Sequence, residues 1–472
     1  MEQQNQKGQW KSQFGFLMAS IGSAVGLGNL WAFPYKMGMS GGFAFLIVYL
    51  ALVFVVGMVV MLCELTLGRK TGKGVIEAYG SLGRKYKWVG VISWISPILI
   101  LGFYSMLGGY CLRYLIANIG DLFGASWGTD GVESEVFFKE FYTDRSQAVL
   151  FTLIFIVIAA LVVCAGVSKG IEKFTSIATP LLFVMLIVII IRSVTLPGAG
   201  AGVAFIFKPD FTLFKGSGWV KLLARAGGQM FFSMSLGMGI MITYGSYMNR
   251  EDNIQRSSII IPAADTVAAL FAAMAIMPAV FAEGLDPGQG PGLLFVTLQT
   301  VFKRMGAIGP FFGCVFYLLV FIAAIDPSIS LMEAAGSALL DRDIAKGRKM
   351  NRKRNTLIVA LITAIEGVII SLDCLGESNM PHLLGQGSLL DLFDLFSEGL
   401  LMPTAALMTS IIFGWIMPGW LDDEITYAGE GKTRRFKMKK YFYFCLKFIV
   451  PPMMVLVLLG QIDIFFKLGW FQ

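Results

Sequence analysis

The stretch from Gly15 to Pro34 is apolar for long enough to cross a bilayer, yet Gly22, Gly26 and Gly28 crowd its middle and Asn29 follows them. A polar amide at mid-membrane depth is expensive unless something binds it. Glycines let a helix unwind, and unwound backbone survives at that depth only when buried in protein or lining a cavity. Freed carbonyls can then ligate a cation, and the N-terminus of a half-helix can face an anion. The same residues also suit a helix-packing face with a buried Asn, because small side chains let membrane helices approach closely.

Ten further apolar runs bear on that choice. They begin near Phe43, Val89, Ala148, Ile177, Met230, Ser257, Phe311, Thr356, Leu389 and Tyr441, so with the run from Phe14 the sequence predicts eleven spans. The whole chain, 472 residues at 56% hydrophobic and 15% charged, reads as an all-α polytopic membrane protein. The first run lacks the short core and small-residue cleavage site of a signal peptide and is kept as mature protein.

The net charge of +7 does not imply nucleic acid. Lys7 and Lys11 precede span one; Arg69, Lys70, Lys73, Arg84, Lys85 and Lys87 follow span two; a basic cluster from Arg342 to Arg354 follows span eight; and Lys432 to Lys440 precedes span eleven. The alternate loops are acidic or mixed, as at Asp121, Asp130, Glu133 and Glu135. This is the positive-inside pattern, with the N-terminus cytoplasmic and Gln472 outside. The absence of an Asn-x-Ser/Thr sequon suits a bacterial plasma membrane. Six scattered cysteines read as small packing residues, and His382, the only histidine, as outer-loop surface. No nucleophile–base pair or metal cluster is visible, so an enzyme is not expected.

Span six repeats the oddity of span one: serines and glycines interrupt Gly227 to Gly239. Two interrupted spans, each opening a block of five, point to the inverted repeats of a secondary transporter. The expected organisation is two inverted five-helix repeats with discontinuous helices 1 and 6, plus an eleventh helix. Residues 1–195 form the first repeat, 196–222 an outer loop, 223–417 the second repeat, and 418–472 an inner loop with span eleven. Asn29, Ser233, Asp265 and Asp326 lie at mid-span depth. All offer oxygen, which hard cations prefer. Glu64 is a further intramembrane acid, and Asp391, Asp394 and Glu398 open span ten. The Gly26-Leu27-Gly28 run is no dinucleotide fingerprint, lacking a preceding strand and a third glycine.

At these residues the chain resembles the neurotransmitter:sodium symporter family, and in particular its bacterial amino-acid members. The likeness rests on Gly22-Ser23-Ala24-Val25-Gly26-Leu27-Gly28-Asn29-Leu30-Trp31, Phe33-Pro34-Tyr35, Gly41-Gly42, Glu64 with Gly68-Arg69, Gln229-Met230-Phe231-Phe232-Ser233, and Ile242-Thr243-Tyr244. Broken helices of this family are a standing example of carboxylate and sodium binding. The resemblance implies a first sodium on Ala24, Asn29, Ser233 and Asp265, and a second on Gly22, Val25, Ala323 and Asp326. It implies a substrate whose carboxylate meets the first sodium, the Tyr104 hydroxyl and backbone near Gly28. Ile100, Phe232, Ser235, Met238 and Leu331 would line the side-chain pocket, with Phe232 as lid. Gly26 stands where monoamine carriers of the family place an aspartate, which leaves room for an amino acid bringing its own carboxylate. Asp265 stands where chloride-dependent relatives have Asn, so chloride is not expected to be required.

The match breaks in three places. Ala32 occupies the position of the family's outer-gate Arg, leaving Lys36 or Arg225 to face Asp394, or all three as solvated vestibule charges. Pro327 replaces a serine of the second sodium site. Lys7 replaces the usual Arg of the inner gate, completed by Ser246, Tyr247 and Asp341. The expected function is sodium-coupled symport of a hydrophobic L-amino acid, aromatic ones included, by alternating access. A proton-coupled carrier and a non-transporting amino-acid sensor are the alternatives. The expected partners are the substrate and the lipid bilayer, in a monomer or weak homodimer.

Overall fold

The computed structural model describes residues 9–215, 218–288, 290, 292–378, 380, 381 and 383–471. Among these, nine helices are long and apolar enough to cross a membrane, and a bent pair makes a tenth. We number these helices, together with the halves of the two broken ones, along the chain. The bent pair is α1, Gln13–Ala24, and α2, Phe33–Gly38, reached through a wide π-type turn at Gly28–Ala32 and inclined by 43°. Then come α3, Phe43–Thr71; α4, Lys87–Leu122; α5, Arg145–Cys164; and α6, Val167–Val194. The second broken element is α7, Gly218–Ser233, with α8, Ile240–Ser246. After it follow α9, Ile254–Ala282; α10, Gly309–Ala345; α11, Arg352–Leu372; α12, Leu389–Ile416; and α13, Lys439–Phe466.

The eleven expected spans are thus present as ten membrane-length elements and one, α7 with α8, too deeply broken to qualify as a single helix. Its start is corrected. Met230 lies in the last turn of α7, not at the beginning of a span, and α7 already covers residue 222, the expected end of the outer loop. Gly227 and Gly228, expected to belong to the interruption, lie within the continuous helix and serve packing. A Cβ on Gly227 would lie 2.6 Å from Val457 of α13, and one on Gly228 2.5 Å from the Gln461 amide.

The two breaks have local causes. In the first, Val25 turns to φ −86°, ψ 97°, after donating to Ile21 O at 2.7 Å. In the second, Ser235, Gly237 and Gly239 all take positive φ, which no helix tolerates. Around them α4 lies along α10, α11 packs on α5 and α4, α6 on α9, and α7 on α13. Leu357, Leu361, Ile365 and Ile369 recur every fourth residue on an exposed face of α11, and α5 and α6 carry similar rows. Such apolar stripes belong against lipid rather than water. The molecule is a multi-pass membrane protein.

Candidate functional site

The two breaks meet in the middle of the bundle. A small cavity there, about 20 Å³ and so with room for little more than one water, is walled by Ala24, Gly26 and Gly28 of the first break and by Phe232, Ser235 and Met238 around the second. Ile100 and Tyr104 of α4 and Leu331 of α10 complete it. Nine of the ten residues expected around a substrate therefore line one space, and Ser233 stands just behind it. Sequence reasoning missed two others, Ser23 and Pro327. Ser23 had a signal, lying beside Ala24 on the broken stretch. Pro327 was noted only as a departure at the second sodium site.

One end of this cavity is polar and the other apolar. Leu27 N–H donates to the Tyr104 hydroxyl at 3.0 Å, and the Ser235 hydroxyl donates to Ser23 O at 2.9 Å across the two breaks. Gln229 donates to Gly28 O at 2.7 Å, and Glu64 accepts from Gly237 N–H at 2.8 Å. The unwound backbone is thus held by side chains from other helices, as buried polar groups require. Ile100, Phe232, Met238 and Leu331 form the opposite end. A side chain at Gly26 does not fit: its Cβ would lie 2.4 Å from Pro327 Cγ and 2.5 Å from the Tyr104 hydroxyl.

Two buried carboxylates flank the cavity. Asp265 Oδ1 accepts from the Asn29 amide at 2.8 Å and the Ser233 hydroxyl at 2.7 Å, while Oδ2 accepts from Tyr49 at 2.9 Å. Asn29 Oδ1 accepts from Gly26 N–H at 3.1 Å. Three residues expected at the first sodium, Asn29, Ser233 and Asp265, are in direct contact, and the fourth, Ala24, is the last residue of α1. Asp326 sits against the backbone of α1, so closely that a Cβ on Gly22 would lie 2.0 Å from its Oδ2. That oxygen accepts from Thr179 at 3.1 Å, whereas Oδ1 is buried without a hydrogen-bond partner among the described residues. An orphaned buried carboxylate oxygen beside freed backbone carbonyls fits a small cation.

Phe232 separates this cavity from a wide vestibule of about 1170 Å³, because it lines both. Lys36, Arg225, Asp391, Asp394 and Glu398 all border the vestibule. The expected pairing is corrected here: Lys36 makes its ion pair with Glu398, one turn beyond Asp394. Arg225 instead donates to Met39 O at 3.3 Å and to Ser40 at 3.4 Å. Glu398 was passed over because i and i+4 share a helix face, and only the approach of α2 selects between them.

The opposite end is closed by packing. Trp10, 2% exposed, donates its indole N–H to Tyr244 O at 3.1 Å and meets Phe16, Tyr244 and Tyr247 edge-on. Three of the expected inner-gate residues lie among the described residues, each with partners there. Tyr247 donates to Glu333 at 2.6 Å, and Glu333 pairs with Arg352. Ser246 donates to Thr243 O at 2.6 Å, and Asp341 accepts from Gly74 N–H. Lys7 and His382 lie outside the described residues. Trp10, Glu333 and Arg352 were not anticipated, since nothing local in the sequence marks a pairing between separate segments, 19 positions apart for Glu333 with Arg352 and 234 for Trp10 with Tyr244.

The family model for the sodium:neurotransmitter symporter family matches residues 7–135 and 142–470. An uncharacterised sodium-dependent transporter of Bacillus subtilis, YhdH, is 33% identical over 97% of this chain and 98% of its own length. The human sodium- and chloride-dependent GABA transporter 2 is 26% identical over 87% of this chain and 73% of its own. The crystal structure of MhsT in complex with L-phenylalanine superposes with a TM-score of 0.85 at 33% identity, covering 96% of this chain and 99% of that one. With the broken helices, their oxygen-lined junction and these likenesses in agreement, the chain belongs to the sodium:neurotransmitter symporter family, as a sodium-dependent transporter.

Proposed function

We propose that this protein carries a hydrophobic L-amino acid, aromatic ones included, into the cell together with two sodium ions and without chloride. The observation that carries this reading is the cavity's polarity: unwound backbone and the Tyr104 hydroxyl at one end, Ile100, Phe232, Met238 and Leu331 at the other. An α-amino acid with an apolar side chain matches both ends. The tightness at Gly26 bars a carboxylate-bearing residue from the protein, so the substrate brings its own. The likeness to MhsT, solved with L-phenylalanine, supports the same class.

Asn29, Ser233 and Asp265, with the carbonyl of Ala24, hold the first sodium where the substrate carboxylate can reach it. Asp326, with the carbonyls of Gly22, Val25 and Ala323, holds the second. Asp265 supplies a fixed negative charge, so no chloride is needed. The substrate enters through the vestibule past Phe232, with Lys36, Arg225 and Asp394 among the charges at its mouth. Release follows when the bundle of α1, α2, α3, α7, α8 and α9 rocks and withdraws the Trp10 plug from the proposed cytoplasmic side, where the N-terminus lies. Ser246, Tyr247 and Asp341 belong to that closure. Because the cavity has room for about one water, it must widen to admit an amino acid.

The test is uptake of radiolabelled leucine, tryptophan and tyrosine into proteoliposomes under an imposed sodium gradient, with choline as the replacement cation. Concentrative uptake with sodium, unchanged when gluconate replaces chloride, is expected. Failure of all three amino acids would overturn the substrate class. Binding without accumulation would mark a sensor.

A further inference from the structure

Away from the central site, a second space of about 520 Å³ opens between α3, the first turns of α9 and the segment leading into α13. Its walls are largely apolar, with Met58 and Leu62 from α3, Ile259 from α9, and Met438 and Phe442 from the entry to α13. Ile259 is 40% and Met438 39% exposed, so this apolar surface continues to the outside of the molecule.

Arg256, Arg435 and Lys437 border the same groove and are exposed. None of their side chains has an ion pair or hydrogen bond among the described residues. Arg434, also at the rim, spends its guanidinium on the backbone carbonyls of Glu251 at 2.7 Å and Asp252 at 3.2 Å. The nearby acids are engaged elsewhere or lie on neighbouring turns. Asp422 pairs with Lys439 at 2.6 Å, Glu424 with Arg69 and Arg250, and Asp252 is half-buried beside Arg69, while Glu251 and Glu430 lie on the exposed turn beyond. Residues 431–440 carry six basic side chains and no acid.

The groove lies where two apolar spans begin, Ile254–Ala282 and Lys439–Phe466. Exposed apolar residues therefore stand next to unpaired cations at the membrane boundary. A phosphate at the rim and an acyl chain in the groove would satisfy both. We infer that this groove is a binding site for an anionic phospholipid, its headgroup held by Arg256, Arg435 and Lys437. A lipid seated there touches α3 and α9 and the entry to α13 together. Any effect on transport rests on the rocking-bundle reading; the binding itself does not.

The test is native mass spectrometry of the full chain incubated with phosphatidylglycerol and phosphatidylcholine of matched acyl chains. The wild type should retain phosphatidylglycerol preferentially, and the Arg256→Gln/Arg435→Gln/Lys437→Gln triple variant should lose about fivefold or more of that retention. A control triple variant in the other basic loop, Lys346→Gln/Lys349→Gln/Lys353→Gln, should keep it. Sodium-dependent amino-acid binding by each variant reports an intact fold. Equal retention of the two lipids by the wild type would overturn the site, as would an unchanged first triple variant. Equal loss in the control would reduce the effect to general surface charge, and displacement by glycerophosphate alone would remove the groove from the account.

Discussion

Asp265 and Asp326 are both fully buried beside the broken helix, but their surroundings differ. Asp265 receives hydrogen bonds from Asn29, Ser233 and Tyr49, so its two oxygens are shared among three donors from three helices. Asp326 receives one, from Thr179, and leaves Oδ1 unsatisfied among the described residues. A buried carboxylate with one neutral donor is costly, and an added cation removes much of that cost. The first acid thus stands in a site the protein largely organises itself. The second depends far more on what binds to it.

That contrast can be broken by substitution. The largest effect is expected from Asp326→Ala, which removes the carboxylate that faces α1 at Gly22. Sodium-dependent substrate binding should fall ~100-fold or more, read by scintillation proximity as a function of sodium concentration. Retained affinity would mean that Asp326 holds no cation. Asp265→Asn comes next. One acceptor oxygen remains for Asn29 and Ser233 while an NH2 replaces the oxygen facing Tyr49, and the charge is gone. Uptake in chloride-free buffer should drop ~10-fold and recover when chloride is restored. Activity unchanged by chloride would refute the charge argument. Ala269, one turn on and buried, offers such an anion no hydroxyl, so recovery should be partial.

Single donors sharpen the comparison. Thr179→Ala removes the one donor that Asp326 has among the described residues and should raise the sodium concentration for half-maximal binding ~10-fold. Tyr49→Phe removes one of three donors on Asp265 and should raise it only ~3-fold, because Asn29 and Ser233 remain. Equal effects from the two would show that neither network is more self-sufficient than the other.

Much of this site was legible in advance because its signals are local. Glycine spacing from Gly22 to Gly28 marked the first break, and Asn29, Asp265 and Asp326 stood out as polar groups in apolar runs. The pairings were less legible. Lys36 reaches Glu398 and not Asp394, and Tyr247 reaches Glu333 while Asp341 receives Gly74. In each case sequence periodicity identifies a helix face but not its rotation toward a partner helix. The start of α7 was misplaced for a related reason. The apolar run opens near Met230, whereas the helix already begins at Gly218 and passes Gly227 and Gly228, against which α13 and α12 press.

By itself the sequence determined that this chain crosses a membrane repeatedly and that two of its spans are interrupted. Apolar length and glycine's freedom act within a few residues, and lipid leaves the backbone no other means of satisfying its hydrogen bonds. Only the tertiary structure decided that Asn29 would meet Asp265, 236 positions away, that Asp326 would rest on the backbone at Gly22, and that Trp10 would seal the far end. Those contacts depend on how tightly whole helices approach and at what rotation. Packing at many small residues sets both at once, and no local stretch records it.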